Sequence, residues 1–209
     1  MLIPARELRN ILRDNGIGVT GILHVGAFEC EEMEPYLDYF NVEPDDIVWI
    51  DAVPRKVEEM RAKGIPNVYT AVVTDQDDVD VSFHVSNNVA SSSVLELGTH
   101  KTEYPSIHYT ETLRAKTVTL DTFFARNNLD PSKYTLWNLD IQGAEGLAFK
   151  GAQQSLQHAQ ALYVEVNERE LYKECMLLPE LDAYLADRGF RRVRTEMTPY
   201  GWGDAVYIR

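Results

Sequence analysis

The chain has 209 residues and a formal net charge of −13, with 44% hydrophobic and 25% charged residues. That length and balance are typical of one globular domain with a sizeable core. The strong negative charge disfavours nucleic acids and anionic membrane surfaces as partners, and it suits a neutral or cationic ligand better.

The sequence gives two indications of the compartment. No apolar stretch approaches the length of a membrane span, and the first residues lack the apolar core of a signal peptide. The two cysteines, Cys30 and Cys175, lie far apart in the chain. Free thiols in a reducing compartment are therefore expected instead of a disulfide framework, and we expect a cytoplasmic protein.

Short apolar runs alternate with helical patterns through most of the chain. The predicted helices cover residues 4–14, 31–40, 55–63, 122–127, 144–157 and 179–188. The predicted strands cover residues 21–25, 47–50, 68–73, 79–85, 134–139, 161–166, 190–194 and 205–208. This order predicts an α/β fold with a Rossmann-like, mainly parallel seven-stranded sheet, helices on both faces and a C-terminal antiparallel hairpin.

The segment 86–116 differs from the rest because it shows no clear period and is rich in asparagine and serine. A long irregular segment inside a compact domain is usually functional or mobile. We interpret it as an insert that forms a substrate-side loop, and a surface loop without a role is the equal alternative. No second domain boundary is visible, so residues 1–209 are predicted to form one domain that begins with an N-terminal helix within residues 1–18.

A glycine turn follows the first predicted strand. Gly26 and Ala27 come directly after an apolar run, and Asp51 ends the next run, 25 positions after Gly26. Glycine lets the backbone approach a ligand, and an acid at the tip of the second strand is placed to accept hydrogen bonds from a ribose. The alternative is structural, with Gly26 as a plain turn and Asp51 as a helix cap.

Several motifs occur in a characteristic order. They are His24-Val25-Gly26-Ala27, Trp49-Ile50-Asp51-Ala52-Val53-Pro54, Thr117-Val118-Thr119-Leu120-Asp121, Leu139-Asp140-Ile141-Gln142-Gly143-Ala144-Glu145, Lys150-Gly151-Ala152, Glu165-Val166-Asn167 and Gly201-Trp202-Gly203-Asp204. In this order the chain resembles the FkbM-type family of S-adenosylmethionine-dependent methyltransferases, from about residue 21 to the C-terminus. It departs from the family pattern in two places. Phe28, Glu29 and Cys30 occupy the region of a usual second glycine, and Asp51 stands for a usual glutamate.

The resemblance implies a class I methyltransferase fold, with S-adenosylmethionine lying across the carboxyl ends of the first strands. A carboxylate-lined pocket suits this cofactor because it carries a sulfonium and an ammonium. We expect Gly26 and Ala27 along its methionine portion and Asp51 on its ribose hydroxyls. The complete set of predicted cofactor contacts is Gly26, Ala27, Glu29, Asp51, Ala52, Val73, Asp75 and Asp140.

Three residues are candidates for catalysis: Asp140, Glu165 and His24. Asp140 ends the fourth main strand, where it could orient the ammonium, position the acceptor hydroxyl or act as base, with helix capping as the alternative. Glu165 ends an apolar strand and needs a partner, either in a pocket or in a buried pair with Arg or Lys. His24 is a minor candidate for the base, and a core histidine is the favoured reading.

A metal and an acceptor are the remaining expectations. Asp140, Glu165 and Asn167 together could supply oxygens to a divalent ion, which we regard as possible but not favoured. The family resemblance implies O-methylation of a sugar or small metabolite, and the sequence alone permits nitrogen as well. Tyr200 and Trp202 could wall a pocket for such a ring, or serve only hairpin packing.

Two other functions fit parts of the pattern. An NAD(P)-binding oxidoreductase shares the fold, but its pyrophosphate would be repelled by the acids at the start of the second helix, namely Glu29, Glu31, Glu32 and Glu34. A non-catalytic binding module that keeps the methyltransferase fold is the second alternative, because the usual second glycine is missing. The sequence leaves the oligomeric state open.

Overall fold

In the computed structural model, which describes residues 1–209, the strands form two sheets. The strands are β1 (Ile22–Val25), β2 (Ile47–Asp51), β3 (Val68–Thr70), β4 (Val72–Val73), β5 (Asp80–Ser86), β6 (Tyr109–Val118), β7 (Leu136–Leu139), β8 (Ala161–Asn167), β9 (Arg191–Met197) and β10 (Trp202–Ile208). The helices are α1 (Ala5–Asp14), α2 (Met33–Phe40), α3 (Pro54–Ala62), α4 (His100–Glu103), α5 (Leu120–Arg126), α6 (Glu145–Lys150) and α7 (Leu178–Ala186). None of these helices has the length and hydropathy that crossing a membrane requires.

The main sheet has seven strands in the order β3-β2-β1-β7-β8-β10-β9. Its first five strands are parallel, and β10 runs antiparallel to both β8 and β9. The predicted seven-stranded, mainly parallel sheet with a C-terminal antiparallel hairpin is therefore confirmed. The order reverses between β1 and β7, and ligands of open α/β sheets bind at the carboxyl ends of the strands at such a switch point.

The sheet divides the core into two layers because side chains alternate between the faces of a strand. On one face, α1, α2 and α3 pack against residues such as Ile22 and Trp49. On the opposite face, α5, α6 and α7 pack against residues such as Leu23 and Val48. Both faces are thus covered, as the sequence predicts.

The predicted strand 68–73 is wrong as a single strand, because the chain leaves the main sheet near Ala71. Residues after this break form β4, which joins β5 and β6 in a separate three-stranded sheet of order β4-β6-β5. Residues 109–116, predicted as part of an irregular insert, belong to β6 and pair antiparallel with β5. Their pairing succeeds because the partly buried Leu113 and Ala115 alternate with polar residues and pack beside Phe83 and Val85.

The predicted helix 144–157 is too long, because α6 ends at Lys150. At Gly151 an added Cβ would lie only 2.2 Å from the backbone oxygen of Thr74, so the chain passes too close to another segment to continue as a regular helix. Asp121 then accepts hydrogen bonds from the backbone of Gln154 and Ser155, and a short 3-10 turn replaces the second half of the prediction.

Candidate active site

The turn after β1 brings three strand ends together. Gly26 has a φ of +95°, and an added Cβ would lie 1.8 Å from the backbone oxygen of Asp140. The amides of Gly26 and Ala27 donate to the oxygen of Ile50 at 2.8 and 3.0 Å. Only glycine fits at position 26, because the turn lies directly against the end of β7 while its amides bond to β2.

The loop continues with two residues in the left-handed region, Phe28 at φ +44° and Cys30 at φ +53°. At these positions the sequence departs from the glycine pattern of the family that it resembles. The backbone there follows a path that glycine would adopt more easily, and a non-glycine residue in this region costs about 1–2 kcal/mol. The missing glycine therefore does not remove the turn.

Asp51 joins this loop to the start of α3. One of its carboxylate oxygens, Oδ2, accepts from the Phe28 amide and the other, Oδ1, from the Val53 amide, both at 2.8 Å. Burial raises the pKa of Asp51 from its usual value. Asp51 thus orders the chain just before α3 but does not cap the helix, because the N-cap residue is Val53 and α3 has no side-chain cap hydrogen bond. Each oxygen keeps a second lone pair, so the contact with ribose stays a prediction.

A large cavity, a small cavity and an apolar slot lie at the carboxyl ends of the central strands. The large cavity measures about 350 Å³ and includes His100, Tyr104, Asp140, Glu165, Tyr172 and Trp202 among its walls. The small cavity measures about 140 Å³ and includes His24, Gly26, Ala27, Asn138, Asp140 and Tyr163. The apolar slot measures about 30 Å³ and includes Gly26, Ile50, Ala52, Val73, Phe83 and Ile141. Three residues line both the large and the small cavity, and of these Asp140 alone has an ionisable side chain; the other two are Met1 and Ala90.

Gln142 connects the carboxyl groups in the wall of the large cavity. Its side-chain nitrogen donates to Asp140 Oδ1 at 2.7 Å and to Glu165 Oε2 at 2.5 Å. Its side-chain oxygen accepts from the hydroxyl of Tyr172 at 2.6 Å. Gln142 has a φ of +57°, an uncommon backbone conformation for a residue other than glycine. The turn after β7 thereby holds the Asp140 and Glu165 side chains in one arrangement.

Glu165 is only 4% exposed, and its hydrogen-bond partner is the amide of Gln142. Burial raises its pKa well above the usual value, and the negative charge of Asp140 adds to the effect. Opposite Glu165 on β10 lies Asp204, whose carboxylate accepts from the backbone of Leu2 and from the hydroxyl of Tyr163. The predicted choice between a pocket and an Arg or Lys pair is thus decided in favour of the pocket.

His24 lies beneath the small cavity and is 2% exposed. Its Nδ1 is 3.1 Å from the hydroxyl of Tyr36, and its ring centroid is 4.9 Å from that of Trp49. Burial lowers the pKa of His24. A neutral histidine packed among aromatic rings agrees with the favoured reading of a core residue, and its role as base stays a prediction.

Three predicted cofactor contacts, Glu29, Asp51 and Asp75, line none of the three cavities described above. Glu29 forms an ion pair with Lys56, with Nζ 2.5 Å from Oε1. Asp75 lies in the turn after β4. All three contacts stay predictions, whereas Gly26, Ala27, Ala52, Val73 and Asp140 do line a cavity.

No group of three His, Cys, Asp or Glu side chains gathers in an arrangement that could hold a metal ion. Asn167, the third oxygen ligand considered from the sequence, follows Glu165 by two residues on β8 and is 1% exposed. Its side-chain oxygen has no hydrogen-bond partner. The divalent ion stays a prediction.

One wall of the large cavity comes from two connections that no sequence pattern relates, residues 87–108 and 168–176. Their backbones pair directly, since the Gly98 amide donates to the Leu171 oxygen at 2.7 Å and the Lys173 amide donates to the Glu96 oxygen at 2.8 Å. Trp202, predicted as a wall residue, lines the large cavity. Tyr200 is 41% exposed, and its ring packs beside that of Tyr104.

Sequence reasoning missed Gln142, Tyr172 and Asn138 as residues of the cavities. Asn138 carried a usable signal, because it is the one polar residue in the run Leu136-Trp137-Asn138-Leu139. Gln142 stands out only as part of a motif, and Tyr172 lies in a segment without a period, so nothing local marks it. His84, His100 and His108 lie on or beside the middle segment, where one could contact the acceptor, and the sequence does not select among them; the structure places His100 in the large cavity.

Comparison with known proteins agrees with this geometry. A family model for the methyltransferase FkbM domain matches residues 24–192. The 2-O-methyltransferase NoeI of Sinorhizobium fredii (strain NBRC 101917 / NGR234) is 25% identical over 149 residues, which cover 68% of this chain and 58% of NoeI. The match thus spans less than two thirds of that relative's length.

Solved structures show the same fold. The magnesium protoporphyrin IX methyltransferase ChlM from Synechocystis PCC 6803, crystallised with bound S-adenosylmethionine, has a TM-score of 0.50 and 13% sequence identity. The alignment covers 98% of this chain and 77% of ChlM. The predicted Rossmann-like methyltransferase fold is therefore confirmed.

Proposed function

The chain belongs to the FkbM methyltransferase domain family, and from that premise we propose that it transfers the methyl group of S-adenosylmethionine to a hydroxyl of a sugar or another small molecule. The observation that carries this proposal is the position of Asp140. Its carboxylate borders both the small cavity beside the glycine turn and the large cavity with aromatic walls. A methyl donor in one and an acceptor in the other would meet at this residue.

The small cavity suits the methionine end of the donor. Its walls contain the backbone of Gly26 and Ala27 and the acids Glu31, Glu32 and Asp140, which favour a ligand with a sulfonium and an ammonium. The cavity also contains Asn138, whose side-chain oxygen has no partner within the protein. These residues fit the cationic half of S-adenosylmethionine.

The apolar side chains of the slot suit an adenine ring, but the volume of the slot is too small to hold one. Its volume of about 30 Å³ is far below the roughly 300 Å³ at the lower end of ligand pockets. Ala52 follows β2 of the main sheet, whereas Val73 on β4 and Phe83 on β5 line the slot from the second sheet. Binding of the nucleoside would therefore require the second sheet or the Phe83 ring to move outward.

The reaction needs a place for the proton of the acceptor hydroxyl. We assign this role to Asp140, whose carboxylate is held by the Gln142 amide at 2.7 Å. As the acceptor oxygen bonds to the methyl carbon, the carbon–sulfur bond breaks, its electron pair stays on sulfur, and the proton passes to Asp140. Glu165 retains its own proton to higher pH than usual because burial raises its pKa, which suits it to donate a hydrogen bond to the acceptor.

The large cavity supports a sugar-sized acceptor. Its volume of about 350 Å³ lies within the range of small-molecule sites, and its walls combine aromatic rings with carboxyl groups. Aromatic faces pack against apolar ring surfaces while carboxylates accept hydrogen bonds from hydroxyls. The similarity to a protein named as a 2-O-methyltransferase supports oxygen as the atom that receives the methyl group.

Two measurements test the proposal. Calorimetric titration with S-adenosylmethionine, S-adenosylhomocysteine and NAD⁺ should give binding of the first two and none of the third. Incubation with methyl-labelled S-adenosylmethionine and a panel of monosaccharides and oligosaccharides, with and without a chelator, should yield an O-methylated product by mass spectrometry.

The outcomes separate the alternatives. Binding of NAD⁺ in place of S-adenosylmethionine would identify an oxidoreductase. Binding without transfer to any acceptor, including cell extracts, would indicate a non-catalytic module. Loss of transfer with the chelator and recovery with Mg²⁺ would establish the divalent ion that the sequence leaves possible.

A further inference from the structure

We propose that Asn138 binds the ammonium group of the donor through its side-chain oxygen, and that Tyr36 and His24 fix the orientation of this amide. The inference rests on the proposed function, because it names a residue of this chain that holds the methionine end of S-adenosylmethionine. It adds a role for three buried polar residues beyond the glycine turn and Asp140.

Asn138 is a buried polar residue in the centre of the sheet. It lies on β7 between Trp137 and Leu139, with His24 as its partner on β1 and Tyr163 as its partner on β8. It is 2% exposed, and its Oδ1 has no hydrogen-bond partner. An unsatisfied buried acceptor costs about 1–3 kcal/mol, so a protein that keeps one gains something elsewhere.

The nitrogen end of the amide is already occupied. Asn138 Nδ2 donates to the hydroxyl oxygen of Tyr36 at 2.6 Å, and this oxygen lies 3.1 Å from Nδ1 of His24. Because the Tyr36 oxygen accepts from the amide, its own proton is available to His24 Nδ1. Nδ1 can accept only in the neutral tautomer that carries its proton on Nε2. Burial lowers the pKa of His24 and supports this neutral form.

In the observed orientation the three residues form a relay with a consistent set of donors and acceptors. Turning the Asn138 amide over would place its oxygen against Tyr36, the hydroxyl would then have to donate to the amide, and His24 could keep its bond only as the tautomer protonated on Nδ1. The relay therefore leaves the carbonyl end of the amide for the small cavity, which Asn138 helps to line. His24, considered as a base from the sequence, acts here as a positioning residue.

A carbonyl oxygen can only accept, so its partner in the ligand must be a donor. The acids around the small cavity, Glu31, Glu32 and Asp140, add negative charge to the same space. A cationic donor satisfies both conditions, and the ammonium is the cationic hydrogen-bond donor of S-adenosylmethionine. A carboxylate placed against Asn138 would meet repulsion from the acids and no donor from the amide.

The test compares two ligands that differ only in the predicted contact region. In S-adenosylhomocysteine a neutral thioether joins the nucleoside to an amino-acid end that carries the ammonium. In 5′-methylthioadenosine this whole amino-acid end is absent. Titration calorimetry of the variant Asn138→Leu should show S-adenosylhomocysteine bound about 10- to 100-fold more weakly than by the wild type, the range for a hydrogen bond to a charged group. Affinity for 5′-methylthioadenosine should stay within about twofold.

Tyr36→Phe is a milder second variant, because it removes only the hydroxyl of the relay. We expect S-adenosylhomocysteine to lose several-fold in affinity and 5′-methylthioadenosine to bind as before. Tyr207→Phe provides the matched control, since Tyr207 is a buried tyrosine on the opposite face of the sheet whose hydroxyl donates to Asp182 at 2.9 Å. This control should change neither affinity.

The results separate the two proposals. If wild type binds neither compound, the proposed function fails. If wild type binds S-adenosylhomocysteine and either Asn138→Leu or Tyr36→Phe binds it unchanged, the relay is wrong. Equal weakening of both compounds by the two variants would also overturn it, because Asn138 and Tyr36 would then support only the structure.

Discussion

The two faces of β8 carry opposite chemistry although all seven of its residues are buried. Leu162 and Val166 belong to an apolar cluster that runs across the sheet, whereas Glu165 lines the large cavity and Asn167 follows it on the same face with an unpaired side-chain oxygen. Burial of the apolar side chains stabilises the fold, while burial of the polar groups costs stability unless they are paired. The contrast shows that one face of β8 is apolar along its length, whereas the other is packed at Ala161 and Tyr163 and polar at its carboxyl end.

The largest expected effect concerns the face with the cavities. The substitution Asp140→Asn should lower kcat by about 10²- to 10⁴-fold, because the amide cannot take the proton of the acceptor. The measurement is the rate of methyl transfer to whichever acceptor the panel identifies. Because Asp140 also lines the donor cavity, circular dichroism serves as the control for an intact fold, and full activity of this variant would exclude Asp140 as the base.

The next effect concerns the apolar face. The substitution Leu162→Ala should lower the free energy of unfolding by about 2–5 kcal/mol, because it leaves a cavity within a fully packed layer. Urea denaturation followed by circular dichroism measures this change. Ligand affinity of the folded variant should be unaffected, since Leu162 does not line any cavity described above.

Glu165→Leu is the matched substitution on the other face of the same strand. It removes a buried carboxyl group and adds apolar contact, while one hydrogen of the Gln142 amide loses its acceptor. These effects oppose each other, so the free energy of unfolding should change by less than about 1 kcal/mol. A loss as large as that of Leu162→Ala would show that the polar face also stabilises the fold.

The pH dependence of stability offers a smaller effect. Burial raises the pKa of Glu165 well above its usual value and that of Glu145 to about 8. The folded protein therefore keeps protons that the unfolded chain releases above about pH 4.3. Stability from these groups is complete below that pH and is lost as the pH rises toward the folded pKa values.

The lowered pKa values of the buried His24 and His100 act in the opposite direction up to about pH 6.5, the usual histidine value. Urea denaturation at several pH values between about 6.5 and 8 should therefore give a free energy of unfolding that falls as the pH rises. The variant Glu165→Gln should show a shallower slope because it cannot release a proton. Stability that rises with pH across this range, or an unchanged slope in the variant, would contradict the assignment.

The smallest effect is expected at Glu29, which the sequence predicts as a cofactor contact. The structure pairs it with Lys56, and an ion pair of such an exposed carboxylate contributes little to stability. The substitution Glu29→Ala should change the affinity for S-adenosylhomocysteine by less than about threefold in a calorimetric titration. A larger loss would restore the predicted contact.

The sequence predicted correctly those strands and turns that short runs of neighbouring residues determine. The apolar runs placed β1, β2, β7 and β8 correctly, and the glycine after the first run marked the turn at Gly26. Asp140 was found because it ends a run. The strand β6 was missed because its buried residues are few and its polar residues are many, so its stability depends on pairing with β5.

The remainder of the site depends on contacts between distant segments. The hydroxyl of Tyr172 reaches Gln142, and Glu165 reaches the same side chain from another strand. No spacing in the sequence predicts such contacts between distant side chains. The left-handed backbone of Gln142 was also invisible, because that conformation is expected of glycine or asparagine.

The paired connections 87–108 and 168–176 have a consequence for how this protein could diversify. They build one wall of the large cavity and bond to each other there, whereas the small cavity is lined mostly by the parallel strands and the loop after β1, with Ala90 as the one contribution of these connections. Exchange of both connections together would reshape the acceptor space and leave most of the donor space unaltered. Natural variation in the molecules modified should therefore concentrate in these two stretches and appear as correlated changes between them.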